Sequence, residues 1–331
     1  MPDTRDIILF ANPLTETDLA VVEAESSRTG IAFRIANEGQ SLTDLVPGVT
    51  AIVTHSAPIT SDVIAAAPNL RLILPMEFGS ADIDHDAAAS RNIEVATLIN
   101  LGWLGVSEHT ILLMLALMKQ LPDAHARTAA GERKPGVSEV KTTARDYTFS
   151  WLGQEGLGWL YRKRLGLVGI GRIGRGVAER ARSFGMRIRY YAPHRLDPAT
   201  EQEYGLEYSP LDDLLGWADF VSVHAKLAPD NERMFGADAF ARMRPDAYFI
   251  NTARGALVEE AALVAALQAR TIAGAGLDVF DYEPMHQNSP LLELDNVILT
   301  PHSAGIFNDD ARVAQLREAF DRVTESVPHV R

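Results

Sequence analysis

An α/β architecture with doubly wound parallel sheet is expected from three features of the 331-residue chain. From Leu165 onward six short β-rich runs, at 165–168, 187–191, 220–223, 247–251, 273–279 and 297–299, alternate with helical stretches. Residues 1–100 show a similar layer pattern. The third feature is a glycine-rich turn, Gly169-Ile170-Gly171-Arg172-Ile173-Gly174, directly after the run Leu165-Gly166-Leu167-Val168 and before helical spacing over 177–184.

In chain order, 7–10, 51–54, 72–74 and 94–96 read as strands, and 16–26 and 82–90 as helices with Thr15 and Ser80 as N-caps. The stretch 106–121 is apolar on nearly every face, which predicts a connecting helix held between layers or at a subunit contact. Its apolar run 111–118 is too short to span a bilayer, and no membrane role is expected. Residues up to about Tyr161, including Trp151 and Trp159, show little periodicity and predict a long loop that is functional or covered by another chain. A last helix, about 309–326, follows the sixth strand and is free to return to the N-terminal domain.

Length allows two domains, and 47% hydrophobic content can build their cores. The absence of cysteine excludes disulfides, thiolate catalysis and cysteine-ligated metal, and no metal site is expected. Residues 1–6 lack the basic and apolar pattern of a signal peptide, so a cytoplasmic location is expected. A formal net charge of -13 argues against a nucleic-acid partner.

The glycine turn has the strand–loop–helix context of a dinucleotide site. Gly169 permits the tight turn, Gly171 lets a pyrophosphate approach the backbone, and Gly174 allows close helix–sheet packing. The amides at Arg172 and Ile173 then face the phosphates, with the Arg172 charge beside them. An NAD site normally ends the next strand in Asp or Glu; here Arg187 to Tyr191 leads into Ala192, then His194 and Arg195. NADP(H) is therefore expected in preference to NAD(H), with His194 and Arg195 on the ribose phosphate. The alternative has both residues solvated and Asp197 folding back to the ribose. Lys226 either reaches the adenine end or is a surface lysine.

Four phrases carry a resemblance: LGLVGIGRIGR at 165–175, FINTARGALVEEAAL at 249–263, IAGAGLDVFDYEP at 272–284 and VILTPHSAG at 297–305. With them the chain resembles, over essentially its whole length, the D-isomer-specific 2-hydroxyacid dehydrogenase family, which includes glyoxylate/hydroxypyruvate reductases and D-3-phosphoglycerate dehydrogenases. The resemblance implies two Rossmann-like domains with the active-site cleft between them. The substrate domain would be 1–100 with 303–331 and the dinucleotide domain 101–302, starting near the Ser107-Glu108-His109 helix. It also implies a homodimer.

Arg254 falls where a strand ends and a helix begins, a place from which a guanidinium can fork a carboxylate. By resemblance it orients a 2-oxo acid and polarises its carbonyl, His302 is the general acid, and Glu283 keeps that imidazole charged and aimed. Glutamate at 283 separates the chain from the family's formate dehydrogenases, which carry glutamine there. Thr252, Ala253 and Asp278 match cofactor contacts, Asp278 near the nicotinamide carboxamide; a buried aspartate capping the next turn is the other account of Asp278. The family's glycine-rich substrate loop matches Glu77, Phe78 and Gly79, and Glu77 departs from it. The amides of Phe78 and Gly79 are expected to bind the substrate carboxylate, with Glu77 turned away. Trp103, Met76, Phe78, Met285 and His286 match segments bordering the substrate, or else belong to the core. The implied activity is hydride transfer between NADP(H) and a 2-oxo acid/D-2-hydroxy acid pair, mainly as a glyoxylate/hydroxypyruvate-type reductase. The alternative is a dinucleotide-sensing interaction protein, similar to the family's corepressors.

Overall fold

The computed structural model of the chain describes residues 6–76, 82–98, 101–305 and 309–326. The chain divides into two compact units, Met1–Gly102 with Phe307–Arg331, and Trp103–Ile306. Each holds one parallel sheet with helices on both faces.

The first unit runs β1 (Ile7–Phe10), α1 (Glu16–Thr29), β2 (Ala32–Ile35), α2 (Leu42–Leu45), β3 (Ala51–Thr54), α3 (Ser61–Ala66), β4 (Leu72–Pro75), α4 (His85–Ser90) and β5 (Glu94–Val95). The sheet order is β2-β1-β3-β4-β5, every pair parallel. Thr15 begins α1 through a capping box: its hydroxyl accepts from the Asp18 amide and the Asp18 carboxylate accepts from the Thr15 amide, both at 3.2 Å. Gly30, at φ 75°, ends it in the left-handed conformation that costs glycine little. Helix α4 starts at His85 instead of 82, because the Asp84 side chain caps the Ala87 amide at 2.8 Å. Ser80 lies outside the described residues. Strand β2, absent from the sequence reading, is a four-residue edge strand, part-exposed and without clear alternation.

The second unit opens with α5 (Gly102–Lys119) and α6 (Leu121–Ala129). Helix α6 shortens the expected loop, which now begins near residue 130; Pro122 sits in its first turn, where a missing amide costs nothing. Then follow β6 (Arg164–Val168), α7 (Arg172–Ser183), β7 (Arg187–Tyr191), α8 (Pro198–Tyr204), β8 (Glu207–Tyr208), α9 (Leu211–Trp217), β9 (Phe220–Val223), α10 (Ala237–Arg242), β10 (Tyr248–Asn251), α11 (Glu260–Gln268), β11 (Gly274–Leu277) and β12 (Val297–Leu299). Its sheet order is β12-β11-β10-β9-β6-β7-β8, again all parallel. One apolar cluster joins Leu113 and Met114 of α5 to Leu165, Val177 and Ile250, and another joins Val221 and Phe249 to Phe240 and Leu263. Helix α5 thus packs one stripe on this sheet, while Leu112 keeps 50% of its surface exposed.

The C-terminal helix α12 (Asp309–Glu325) belongs to the first unit and packs on α1. Phe320 meets Phe10 with ring centroids 6.4 Å apart, and Arg312 forks the buried Asp18 carboxylate while Arg317 reaches Glu25 at 2.8 Å. Desolvation by burial pushes the Asp18 carboxyl up, and the hydrogen bonds from Arg312 and Thr15 together outweigh it, leaving Asp18 below the usual carboxylate range.

Candidate active site

Parallel strands deliver their following loops to one edge of the sheet, so the segments after β6, β9, β10, β11 and β12 emerge together. The order reverses at β6, where the chain leaves toward β7 on one side and returns as β9 on the other. The glycine turn lies at that point. Gly169 has φ 95°, and a Cβ there would come within 2.4 Å of the Ala225 amide nitrogen, so the loops after β6 and β9 touch through backbone. A Cβ on Gly174 would meet the Gly169 carbonyl at 2.4 Å, which seats α7 directly under the turn. Gly171 differs: it is exposed, has nothing within 4 Å of its Cβ position, and caps α7 without a side-chain bond. Open approach over first-turn amides of a 12-residue helix, with Arg172 and Ile173 as its first residues, fits a pyrophosphate.

At the end of β7 Ala192 is half-buried and offers no carboxylate, while His194 and Arg195 are exposed. Asp197 is committed to capping α8: one oxygen accepts from the Ala199 and Thr200 amides at 3.0 Å each, the other from the Thr200 hydroxyl at 2.6 Å. Arg195 does not stand alone. Its Nε and Nη2 donate to the two carboxylate oxygens of Glu201, each at 2.9 Å. Lys226 is exposed, and its backbone carbonyl accepts from Asn231 at 2.9 Å.

The loops after β10, β11 and β12 hold the reactive groups. Asn251, buried at the end of β10, accepts from the Ala253 amide and donates to the Arg254 carbonyl, which fixes the turn at Arg254. The Arg254 guanidinium is exposed, with Nη1 donating to the Ala253 carbonyl at 2.6 Å. Gly255 is irreplaceable on steric grounds, since a Cβ there would sit 1.9 Å from the Phe280 carbonyl oxygen. That contact locks the Arg254 turn to the turn carrying Glu283. Glu283 Oε1 accepts from the Phe280 amide at 3.1 Å, and Oε2 lies 2.6 Å from His302 Nδ1. A carboxylate only accepts, so Nδ1 carries the hydrogen and Nε2 is the exchangeable position. His302 has φ 53°, a left-handed conformation rare outside glycine and held here by its loop.

Asp278 anchors that loop. Only 1% exposed, it accepts from the Thr300 hydroxyl at 2.6 Å and from the Ser303 and Ala304 amides at 3.0 and 2.9 Å. This matches the turn-capping account of Asp278. The Thr300 hydroxyl has one hydrogen, given to Asp278, so His109 Nε2, 2.9 Å away, donates to Thr300. Next to His109 on α5, Thr110 meets the buried Thr252 after β10, the two hydroxyls 3.1 Å apart.

The contacts of His109, Thr300 and Glu201 are not legible in the sequence, because nothing in their spacing links them to the residues they touch. His224 escaped the sequence reading. It follows β9, its Nε2 is 2.9 Å from the Ser222 hydroxyl, its Nδ1 is sealed from solvent without a partner, and burial lowers its pKa to about 3. A cavity of about 580 Å³ opens beside the Glu283 turn, lined by Glu260, Asp281, Tyr282, Met285 and His286 among others. Two of the expected pocket residues thus share one concave surface. Trp103 instead lies against Gly176 of α7. Glu77, Phe78 and Gly79 lie outside the described residues.

Residues 111–304 match the family model for the D-isomer specific 2-hydroxyacid dehydrogenase, NAD binding domain. The chain belongs to the D-isomer-specific 2-hydroxyacid dehydrogenase family. Among its relatives, a glyoxylate reductase of Korarchaeum cryptofilum is 37% identical over 261 residues, covering 78% of this chain and 74% of that protein. The structure of an NADPH-dependent glyoxylate/hydroxypyruvate reductase from Sinorhizobium meliloti aligns at TM-score 0.69 and 27% identity over 97% of this chain and 93% of the other. D-lactate dehydrogenase with NAD+ from Lactobacillus jensenii aligns at 0.73 and 26% over 97% and 96%. This 2-hydroxyacid dehydrogenase is therefore an oxidoreductase that uses a nicotinamide dinucleotide, consistent with the open backbone at Gly171.

Proposed function

We propose that this dehydrogenase is a cytoplasmic homodimer that prefers NADP(H) to NAD(H) and mainly reduces 2-oxo acids of the glyoxylate and hydroxypyruvate type to D-2-hydroxy acids. The observation that carries the reading is the 2.6 Å contact between His302 Nδ1 and Glu283 Oε2, in the same unit as Arg254 and the glycine turn. The dinucleotide, when bound, supplies the hydride. Arg254 forks the substrate carboxylate and draws charge from the carbonyl. His302, its Nδ1 held by Glu283, gives an Nε2 proton to the carbonyl oxygen as C2 receives the hydride. The ketone becomes a secondary alcohol, and one hydride and one proton account for the change.

The remaining residues hold the dinucleotide: Gly169, Gly171, Gly174, Arg172 and Ile173 at the pyrophosphate, Thr252 and Ala253 toward the nicotinamide, with Asp278 acting there only through the loop it caps, and His194, Arg195 and Lys226 at the adenosine end. Ala192 in place of an acid, with Asp197 occupied at the start of α8, supports NADP(H). Exposed apolar groups in the second unit, including Leu112, Phe149 at 84% and Trp159 at 66%, support a second copy as cover, which sedimentation velocity tests directly.

The deciding assay follows oxidation of NADPH and NADH against glyoxylate, hydroxypyruvate, pyruvate and phenylpyruvate. Turnover with at least one acid, faster at equal low concentrations of NADPH than of NADH, is the expected result. Tight NADPH binding without turnover of any of the four would defeat the reductase reading in favour of a dinucleotide sensor.

A further inference from the structure

At the adenosine end of the dinucleotide site one carboxylate has no place in the reaction. Glu201, on α8, receives Nε and Nη2 of Arg195 in a two-point fork, both bonds 2.9 Å long. The Tyr190 hydroxyl donates to the same carboxylate at 2.7 Å, and the Leu196 amide donates to that hydroxyl at 2.8 Å. Tyr190 belongs to β7 and is fully buried, so Glu201 is tied to the sheet itself. The two partners of the fork differ in freedom: the Glu201 side chain is 11% exposed and that of Arg195 is 63% exposed. The Arg195 hydrogen bond, then that of Tyr190, holds the Glu201 carboxyl below the usual range, so it is an anion at neutral pH.

We propose that Glu201 is a specificity-determining latch on Arg195, competing with the 2′-phosphate of the dinucleotide for the guanidinium and so limiting how strictly the chain prefers the phosphorylated cofactor. The inference rests on the NADP(H) reading above. In a doubly wound domain the adenosine ribose lies at the end of the second strand, here β7, and Arg195 is four residues beyond Tyr191. With Glu201 on the Nε–Nη2 edge, a phosphate either takes the Nη1 end beside an anchored negative charge or displaces the carboxylate. Glu201 is fixed and Arg195 is long and exposed, so Arg195 is the element that moves. Removing the charge on Glu201 frees the fork and removes the repulsion together.

The test is calorimetric titration with ADP-ribose and with its 2′-phosphorylated form, which separate binding from turnover. In E201Q the ratio of the two dissociation constants is expected to shift about tenfold toward the phosphorylated ligand, equivalent to ~1.4 kcal/mol. In an R195A background E201Q is expected to shift that ratio clearly less than in the parent, since only the repulsion is left to remove; an equal shift in both backgrounds overturns the latch. A ratio unmoved by E201Q, or moved against the phosphorylated ligand, overturns the latch even if R195A itself costs phosphate affinity. If R195A leaves the ratio unmoved, the NADP(H) reading at this residue falls and the latch with it. E201D, which keeps the charge but shortens the reach, serves if E201Q melts before the assay temperature, and it too is expected to loosen the fork and raise the ratio.

Discussion

Replacing Asp278 by asparagine is the most informative single change at the site. Its carboxylate, 1% exposed, accepts three hydrogen bonds from the loop that carries His302: the Thr300 hydroxyl, the Ser303 amide and the Ala304 amide. Asparagine has the same shape but offers one acceptor oxygen and a donor group. Whichever way the amide turns, its NH2 faces a backbone N–H, at Ala304 or at Ser303. One charge-assisted bond is lost, about 1.5–3 kcal/mol, and one buried donor is left unpaired, about 1–3 kcal/mol more, with partial relaxation offsetting some of it. A net cost of about 2–4 kcal/mol is therefore expected in urea unfolding of the second unit. The consequence for catalysis runs through His302, whose left-handed backbone depends on the same loop. A displacement of about 1 Å at a catalytic group costs on the order of a hundredfold, so kcat is expected to fall by about 10–100-fold. An Asp278→Asn protein with parental urea midpoint and parental kcat would refute the claim that this carboxylate holds the loop.

Three other outcomes are expected. Glu283→Gln keeps a hydrogen bond to His302 but loses the charge, so kcat for reduction should drop about 10–100-fold, with less change in dinucleotide affinity, in stopped-flow and equilibrium titrations. Gly255→Ala sets a methyl 1.9 Å from the Phe280 carbonyl, and thermal unfolding should show a loss of more than about 2 kcal/mol or failure to fold. The third concerns His224, whose folded pKa of about 3 lies below its ordinary 6.5. Between those values the unfolded chain binds more protons than the folded one, so this residue's contribution to stability falls as pH drops below 6.5 and levels off near 3. Between pH 7 and 5 it should amount to about 1–2 kcal/mol in urea titrations, a slope that His224→Gln should remove.

Much of this molecule is written in local pattern. The second sheet is legible because parallel strands buried on both faces must be short apolar runs, and Leu165 to Val168 or Phe220 to Val223 are such runs. The strand–glycine–helix order at 165–183 is equally local, since each glycine answers a steric demand of its own turn. Strands β2 and β8 were not legible: both are edge strands, short and part-exposed, and their apolar alternation is too brief to register. The eventual neighbours of Arg195 and Asp278 were illegible for another reason. A side chain's charge is known from the sequence, but its partner depends on which atoms the fold brings within about 3 Å.

What the sequence by itself determined, then, is the α/β layering, the glycine turn, the missing acid at Ala192 and the phrases that hold Arg254, Glu283 and His302. Tertiary structure alone decided that His302 meets Glu283 at 2.6 Å, that Asp278 is bound to the His302 loop, and that Arg195 is already forked by Glu201. The division has a physical cause. Periodicity and turn chemistry act over a few residues and leave their mark in order, whereas a hydrogen bond between 278 and 303 or a backbone contact between 255 and 280 exists only after the strands have stacked side by side.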